Sequence, residues 1–242
     1  MSQMPADPTA ERFAERLEAL RSPEEREKYR RYFKFGEGTD DEFIGVRMGQ
    51  VFALAKEFTE MPPGEIEKLL ESPIHEARAG AMSIMDKQAR KRKTPESRRK
   101  ELYDLYLRRM DRINSWDLVD VSCIYVVGGY LFNKPRQILY ELARSENIWE
   151  RRTAIVSTAY FIRQGELDDT FKIAELLLGD EEDLIHKATG WMLRAAGQSD
   201  RRRLLSFLDK HAAAMPRTAL RYSIEHLDPE ERANYMKMKK NR

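Results

Sequence analysis

The sequence predicts an all-α protein assembled from short paired helices, and three observations carry that expectation. Apolar residues recur with a helical period through nearly the whole 242-residue chain after position 9. The 12 glycines and 10 prolines fall mainly between the periodic stretches. Alternating apolar–polar strand patterns do not occur, which argues against α/β folds of the Rossmann or P-loop kind. With 41% apolar residues the chain can bury a sizeable core.

Taken in order, the periodicity predicts helices over 9–33, 44–59, 63–71, 73–91, 95–112, 115–131, 135–144, 149–164, 168–178, 183–197, 200–211, 216–226 and 228–238. Met61-Pro-Pro-Gly64 closes the second, Phe132-Asn-Lys-Pro135 the sixth and Gly179-Asp180 the ninth. Gly36-Glu-Gly38, followed by Thr39-Asp-Asp41, reads as a turn and helix cap, because no strand precedes it and its glycine pattern is incomplete for a phosphate loop. Ile148-Trp-Glu-Arg-Arg-Thr-Ala-Ile155 and Leu184-Ile-His-Lys-Ala-Thr-Gly-Trp191 occupy similar places 36 residues apart. That period, with paired helices, predicts a HEAT-like α-solenoid whose concave side is a binding surface. One repeat domain over 9–238 is expected, with a disordered N-terminus at 1–8 and a basic tail at 239–242.

Charge is high but nearly balanced, 43 Lys+Arg against 41 Asp+Glu, so a nucleic-acid footprint would have to be spatially segregated. Lys87 to Lys100 holds eight basic residues and one acid, and Arg201-Arg-Arg203 and Lys237-Met-Lys-Lys-Asn-Arg242 add further clusters. The first of these also reads as an exposed inter-helix loop, and it is not assigned to the site. The single Cys123 sits in an apolar run, as a buried, reduced thiol would. The start of the chain lacks a basic and an apolar signal region, and no run approaches a membrane span. A soluble, cytoplasmic protein is expected. Four scattered histidines give no metal-ligand spacing. His226-Leu-Asp228 lacks a following histidine, Cys123 lacks the context of an alkyl-acceptor thiol, and no serine nucleophile elbow is present.

The segment from Asn114 to Leu131 is the most informative. Asp120 is the one carboxylate in fourteen residues from Leu118 to Leu131, and a carboxylate there is costly unless something pairs with it or uses it. Trp116 lies four residues earlier, on the same helical face. The structural alternative for Asp120 is an ion pair with an arginine from the next repeat. Asp117 reads as a capping residue, with Asn114 as the N-cap. Lys187, Trp191 and Arg194 share a face at i, i+4 and i+7, which suits a phosphate backbone with an aromatic contact. A core tryptophan with basic neighbours reaching to solvent is the alternative there. Gly190 would let a backbone or a ligand approach closely.

These residues, in this order, resemble the AlkC/AlkD family of bacterial DNA alkylation repair proteins, and within it the AlkD branch, from about Glu24 to about His226. Trp116-Asp-Leu-Val-Asp120 is similar to the family's W-D-x-V-D signature. Trp149-Glu-Arg-Arg-Thr-Ala-Ile155 resembles W-x-x-R-x-A-I, with the arginine on Arg152 and not Arg151. Lys187-Ala-Thr-Gly-Trp-Met-Leu-Arg194 resembles K-A-x-G-W-x-L-R. Tyr29-Arg-Arg-Tyr-Phe-Lys-Phe-Gly36 and Phe43-Ile-Gly-Val-Arg47 look like the opening repeat, with a DNA-contacting tyrosine at Tyr29 or Tyr32.

The resemblance implies a concave, basic, DNA-binding face. It also implies a DNA glycosylase that removes cationic N3- and N7-alkylated purines, such as 3-methyladenine and 7-methylguanine, without a base-flipping pocket. Asp120 would be catalytic, flanked by Trp116 and Trp191. Arg152, Arg194, Lys187 and Tyr29 would bind DNA. Double-stranded DNA is the implied partner of a monomer that uses no cofactor, metal or membrane. The competing class is a non-catalytic HEAT-repeat scaffold that binds DNA or a protein; an AlkC-like preference for 3-methyladenine is a third possibility.

Overall fold

The structure, a computed structural model, describes residues 7–32 and 41–238, with side chains excepted at 29–32. The expected basic tail and the Gly36-Glu-Gly38 turn lie outside the described residues, as does most of the expected disordered N-terminus. Asp7 and Pro8 are placed, however, and the Asp7 carbonyl accepts from the Thr9 amide at 3.0 Å and the Arg12 guanidinium at 2.9 Å. Among the described residues the elements are all helical, with one isolated parallel bridge between Glu42 and Ile74. No helix among them is long and apolar enough to cross a membrane. The chain's contacts fall into two compact units, 1–122 and 123–242.

The first unit contains α1 (Ala10–Glu18), α2 (Pro23–Tyr32), α3 (Met48–Glu57), α4 (Pro63–Leu70), α5 (His75–Arg90), α6 (Glu96–Arg108) and a 3-10 turn at Met110–Arg112. It ends within α7 (Trp116–Cys123). The Thr9 hydroxyl caps α1, which buries Ala10, Phe13 and Leu17 on one stripe. A single helix over 9–33 was expected; instead the chain breaks between Glu18 and Pro23. Pro23 opens α2, where its missing N–H costs nothing, and the Ser22 hydroxyl accepts from the Glu25 amide at 3.3 Å. Helix α5 is buried along nearly its whole length, and small residues let its neighbours close in. A Cβ on Gly80 would lie 2.3 Å from Phe13 Cζ, so this glycine lets the Phe13 ring seat against α5. That ring also meets Phe58 edge-on at 5.2 Å.

The second unit contains a π-helical turn (Ile124–Gly129), α8 (Gln137–Leu142), α9 (Ile148–Arg163), α10 (Asp168–Leu176), a 3-10 turn (Leu177–Gly179), α11 (Asp183–Ser199), α12 (Arg201–His211), α13 (Arg217–Ser223) and α14 (Pro229–Lys237). Helices α9 and α11 form its centre: α9 packs on the π turn and α11, and α11 on α13. One packing device recurs in the contacts, 62 residues apart and not at the 36-residue spacing of the sequence repeat. A Cβ on Gly128 would lie 2.2 Å from the Ser157 carbonyl oxygen and 3.0 Å from Tyr160 Cβ; one on Gly190 would lie 2.5 Å from both the Ala219 carbonyl oxygen and Tyr222 Cβ. The carbonyl in each pair is 29 residues downstream of its glycine and the tyrosine 32. Two helix pairs thus use one device: a glycine that admits the backbone of a later helix, α9 or α13. Helix α9 starts at Ile148 and α11 at Asp183, one residue before Leu184, so both segments of the sequence repeat open a helix.

Candidate active site

Helix α7 carries the central pair. Its first turn is closed by the Val119 amide on the Ser115 carbonyl at 3.3 Å. Leu118, Val119, Ser122 and Cys123 are buried, and Cys123 is not in a disulfide. Trp116 is 44% exposed, unusual for an indole, and Asp120, four residues on, is half-buried. Both side chains therefore sit on the turn-to-turn face that α7 does not bury. The chain passes directly from α7 into the π turn. Widened turns of this kind are rare and recur beside functional residues.

Asp117 and Asn114 do not make the expected capping pattern. The His75 ring Nε2 lies 2.7 Å from an Asp117 carboxylate oxygen, and the Ser115 hydroxyl donates to the other. Burial pushes the Asp117 carboxyl up, but the hydrogen bonds from His75 and Ser115 and the His75 charge outweigh it and leave it below its usual range. His75 itself stacks on Phe43, ring centroids 4.5 Å apart. The Asn114 carbonyl oxygen accepts from Arg78 at 2.8 Å, and its amide donates to Asp41 at 3.0 Å. Arg78 is fully buried and pairs with Asp41 at 2.5 Å. Asp41 thus anchors α5 and does not cap a helix.

The same helix holds the loop before α3. The buried Glu76 carboxylate accepts from the amides of Ile44, Gly45 and Val46 at 3.2, 2.8 and 3.2 Å. Gly45 sits at φ +82°, and a Cβ there would meet the Ser22 carbonyl oxygen at 2.1 Å. This is why residues 44–47, expected as the start of a helix, are not helical. His75, Glu76 and Arg78 escaped sequence reasoning as site-supporting residues. Their signal was an acid and two bases within an otherwise small, apolar helix start.

In the second unit Lys187, Trp191 and Arg194 do share one face of α11. Lys187 pairs with Asp183 at 2.7 Å, which holds its ammonium above its usual value, while Lys187 and Thr218 pull Asp183 down. Arg194 pairs with Glu225, just past α13, and Trp191 between them is half-buried. Gly190 admits a backbone, that of α13. Arg152 is only 5% exposed, and its Nη1 donates to the Leu184 carbonyl at 2.6 Å, tying α9 to the first turn of α11. Arg151 is a strut: it donates to Asp180 at 2.6 Å and to the Ser145 and Glu146 carbonyls at 2.9 Å. Tyr29 belongs to α2, but its side chain lies outside the described residues, as does that of Tyr32. Among the described residues no three His, Cys, Asp or Glu side chains cluster as a metal site.

A family model described as DNA alkylation repair enzyme matches residues 13–227. A solved structure of a predicted DNA alkylation repair enzyme from Enterococcus faecalis superposes with a TM-score of 0.71. It is 19% identical, over 87% of this chain and 98% of that one, a likeness of fold. A search of curated protein sequences finds no significant match. The match over residues 13–227 spans α2 to α13 entire and every described candidate residue, and the chain belongs to the DNA alkylation repair enzyme family.

Proposed function

We propose that the protein is a monofunctional DNA glycosylase that hydrolyses the N-glycosidic bond of cationic N3- and N7-alkylated purines in double-stranded DNA, the first step of base excision repair. The observation that carries this reading is the half-buried Asp120 carboxylate on the same face of α7 as the exposed Trp116 indole. An alkylated purine already bears positive charge, so it leaves with the C1′–N bonding pair and becomes neutral without a proton donor. The demanding species is the deoxyribose oxocarbenium ion left behind. A fixed carboxylate beside C1′ stabilises that cation and orients the water that adds to it, whose proton is released to the carboxylate or to solvent. The Trp116 face offers electron density to the same developing charge.

Lys187, Arg194 and Arg152 serve the DNA backbone in this reading, with Trp191 as an aromatic contact. Lys187 and Arg194 would exchange Asp183 and Glu225 for phosphate oxygens. Partly exposed pairs of this sort are worth about 0–1 kcal/mol, so the exchange costs little.

The test is incubation of the full chain with methylated duplex DNA, followed by chromatography of free bases. The reading expects 7-methylguanine and 3-methyladenine to be released, and Asp120→Asn to lower release at least about 100-fold while DNA binding persists. Binding without release by the unaltered chain would instead identify a non-catalytic DNA-binding repeat protein. Release of 3-methyladenine alone would narrow the substrate class.

A further inference from the structure

The basic run from Lys87 to Lys100 is not used by the chemistry above. It spans the end of α5, the turn at 91–95 and the start of α6. With the α3–α4 connection it lines an open groove of about 620 Å³, whose walls carry Lys91, Arg92, Lys93 and Arg98 against one acid, Glu60. The turn is rigidly built. Arg99 donates to the carbonyls of Ala89, Lys91 and Thr94, the last two at 2.7 and 3.3 Å. The Thr94 hydroxyl donates to the Gln88 carbonyl at 2.7 Å, and the Gln88 amide to the Met61 carbonyl at 2.7 Å. These bonds draw the turn's carbonyl oxygens onto a guanidinium, while the neighbouring cations stay exposed.

Lys91 is engaged by Glu60, and Arg98 Nε meets Glu101 at 3.3 Å. Arg92 and Lys93 are exposed and have neither an ion pair nor a side-chain hydrogen bond among the described residues. Arg98 Nη1 is buried with no hydrogen-bond partner. Swinging that half-exposed side chain toward an anion would recover the cost of an unsatisfied donor. Helix α6 starts at Glu96, behind Pro95, with no side-chain cap, so its positive dipole end lies at the groove as well.

We propose that this groove binds the phosphodiester backbone of duplex DNA beside, and not at, the nucleotide held by α7. The inference rests on DNA being the substrate. Helix α5, whose start is bonded to Asp117, ends at this groove; its sixteen residues rise about 24 Å, the length of about seven base pairs. The contact would therefore be independent of both the lesion and the sequence.

The experiment measures binding of the full chain, and of an Arg92→Ala/Lys93→Ala double variant, to a labelled undamaged duplex across a salt series. Each lost phosphate contact should weaken binding on the order of fivefold to tenfold near 0.1 M salt and lower the log–log salt slope by about 0.9. Single-turnover base release at saturating enzyme should be unchanged. Lys68→Ala, which removes an exposed charge paired with Glu65, is the control. Equal affinity and slope in the double variant and the unaltered chain would overturn the proposal, as would an equal loss in the control. Weakened binding to single-stranded RNA or heparin with duplex binding intact would assign the groove to another polyanion and also overturn it. If the unaltered chain releases no base, the glycosylase reading fails, and the salt slopes still decide this one.

Discussion

Gly190→Ala tests whether the α11–α13 contact is built as described. The added methyl would lie 2.5 Å from the Ala219 carbonyl oxygen and 2.5 Å from Tyr222 Cβ, where ordinary contact begins at 3.4 Å. Neither atom can rotate away, because one is backbone and the other is bonded directly to it. Helix α13 must shift, and overpacking of this kind costs about 1–3 kcal/mol. Alanine returns about 1 kcal/mol through its greater helix propensity, so the net loss is about 0–2 kcal/mol. For a chain of this length that is a fall in Tm of up to about 8 °C, read by circular dichroism. Gly49 in α3 supplies the internal contrast, since a Cβ there meets nothing within 4 Å. Gly49→Ala should hold Tm or raise it. A rise in Gly190→Ala matching that of Gly49→Ala would refute the reasoning, for it would mean that α13 does not lie against Gly190.

Asp117→Asn should destabilise the chain by about 1–3 kcal/mol at neutral pH through loss of a buried, charge-assisted hydrogen bond. Because the folded Asp117 carboxyl titrates below its unfolded value, its contribution is full above the ordinary carboxylate pKa and is lost as pH falls through the folded one. Stability–pH curves of the variant and the unaltered chain should accordingly converge in acid; parallel curves would contradict the shift. Arg152→Ala should also lower stability by about 1–3 kcal/mol, since it removes a buried guanidinium and its bond to Leu184, and an unchanged melt would contradict that burial. If it also weakens binding equally to all DNA sequences at a temperature where it stays folded, a phosphate contact is supported. Trp191→Ala should slow base release with helical content intact, while collapse of the melt would make Trp191 a core residue.

The helices were legible because their signal is local: periodicity, with proline and glycine at the joints, placed thirteen stretches that correspond to the observed elements. The failures have long-range causes. The break at Ser22-Pro23 hid behind good helix formers on either side. The non-helical 44–47 segment depends on Glu76, some thirty residues away, whose carboxylate takes the amides of Ile44, Gly45 and Val46. Asn114 and Asp117 sit at spacings that a capping box would use, yet Arg78 and His75 outbid the backbone for them. At the candidate site, Trp116 and Asp120 could be found from spacing and the cost of burying charge. The supports beneath them could not, because no periodicity links α5 to α7.

Asp117 and Asp120 occupy one helix, three residues apart, and meet different fates. Asp117 is tied to His75 and Ser115, and the Arg78–Asp41–Asn114 cluster braces the residues just before α7. Such anchoring restrains the first turn of α7, and with it the positions from which Trp116 and Asp120 project. For a carboxylate that acts by electrostatics this matters more than proximity alone, since a charge that must reorganise as the cation forms surrenders much of what it could stabilise. The buried polar network beside α7 carries a desolvation cost, which its mutual hydrogen bonds offset. In the proposed reaction that network would hold the first turn of α7, and with it the Asp120 carboxylate, still as the cation forms.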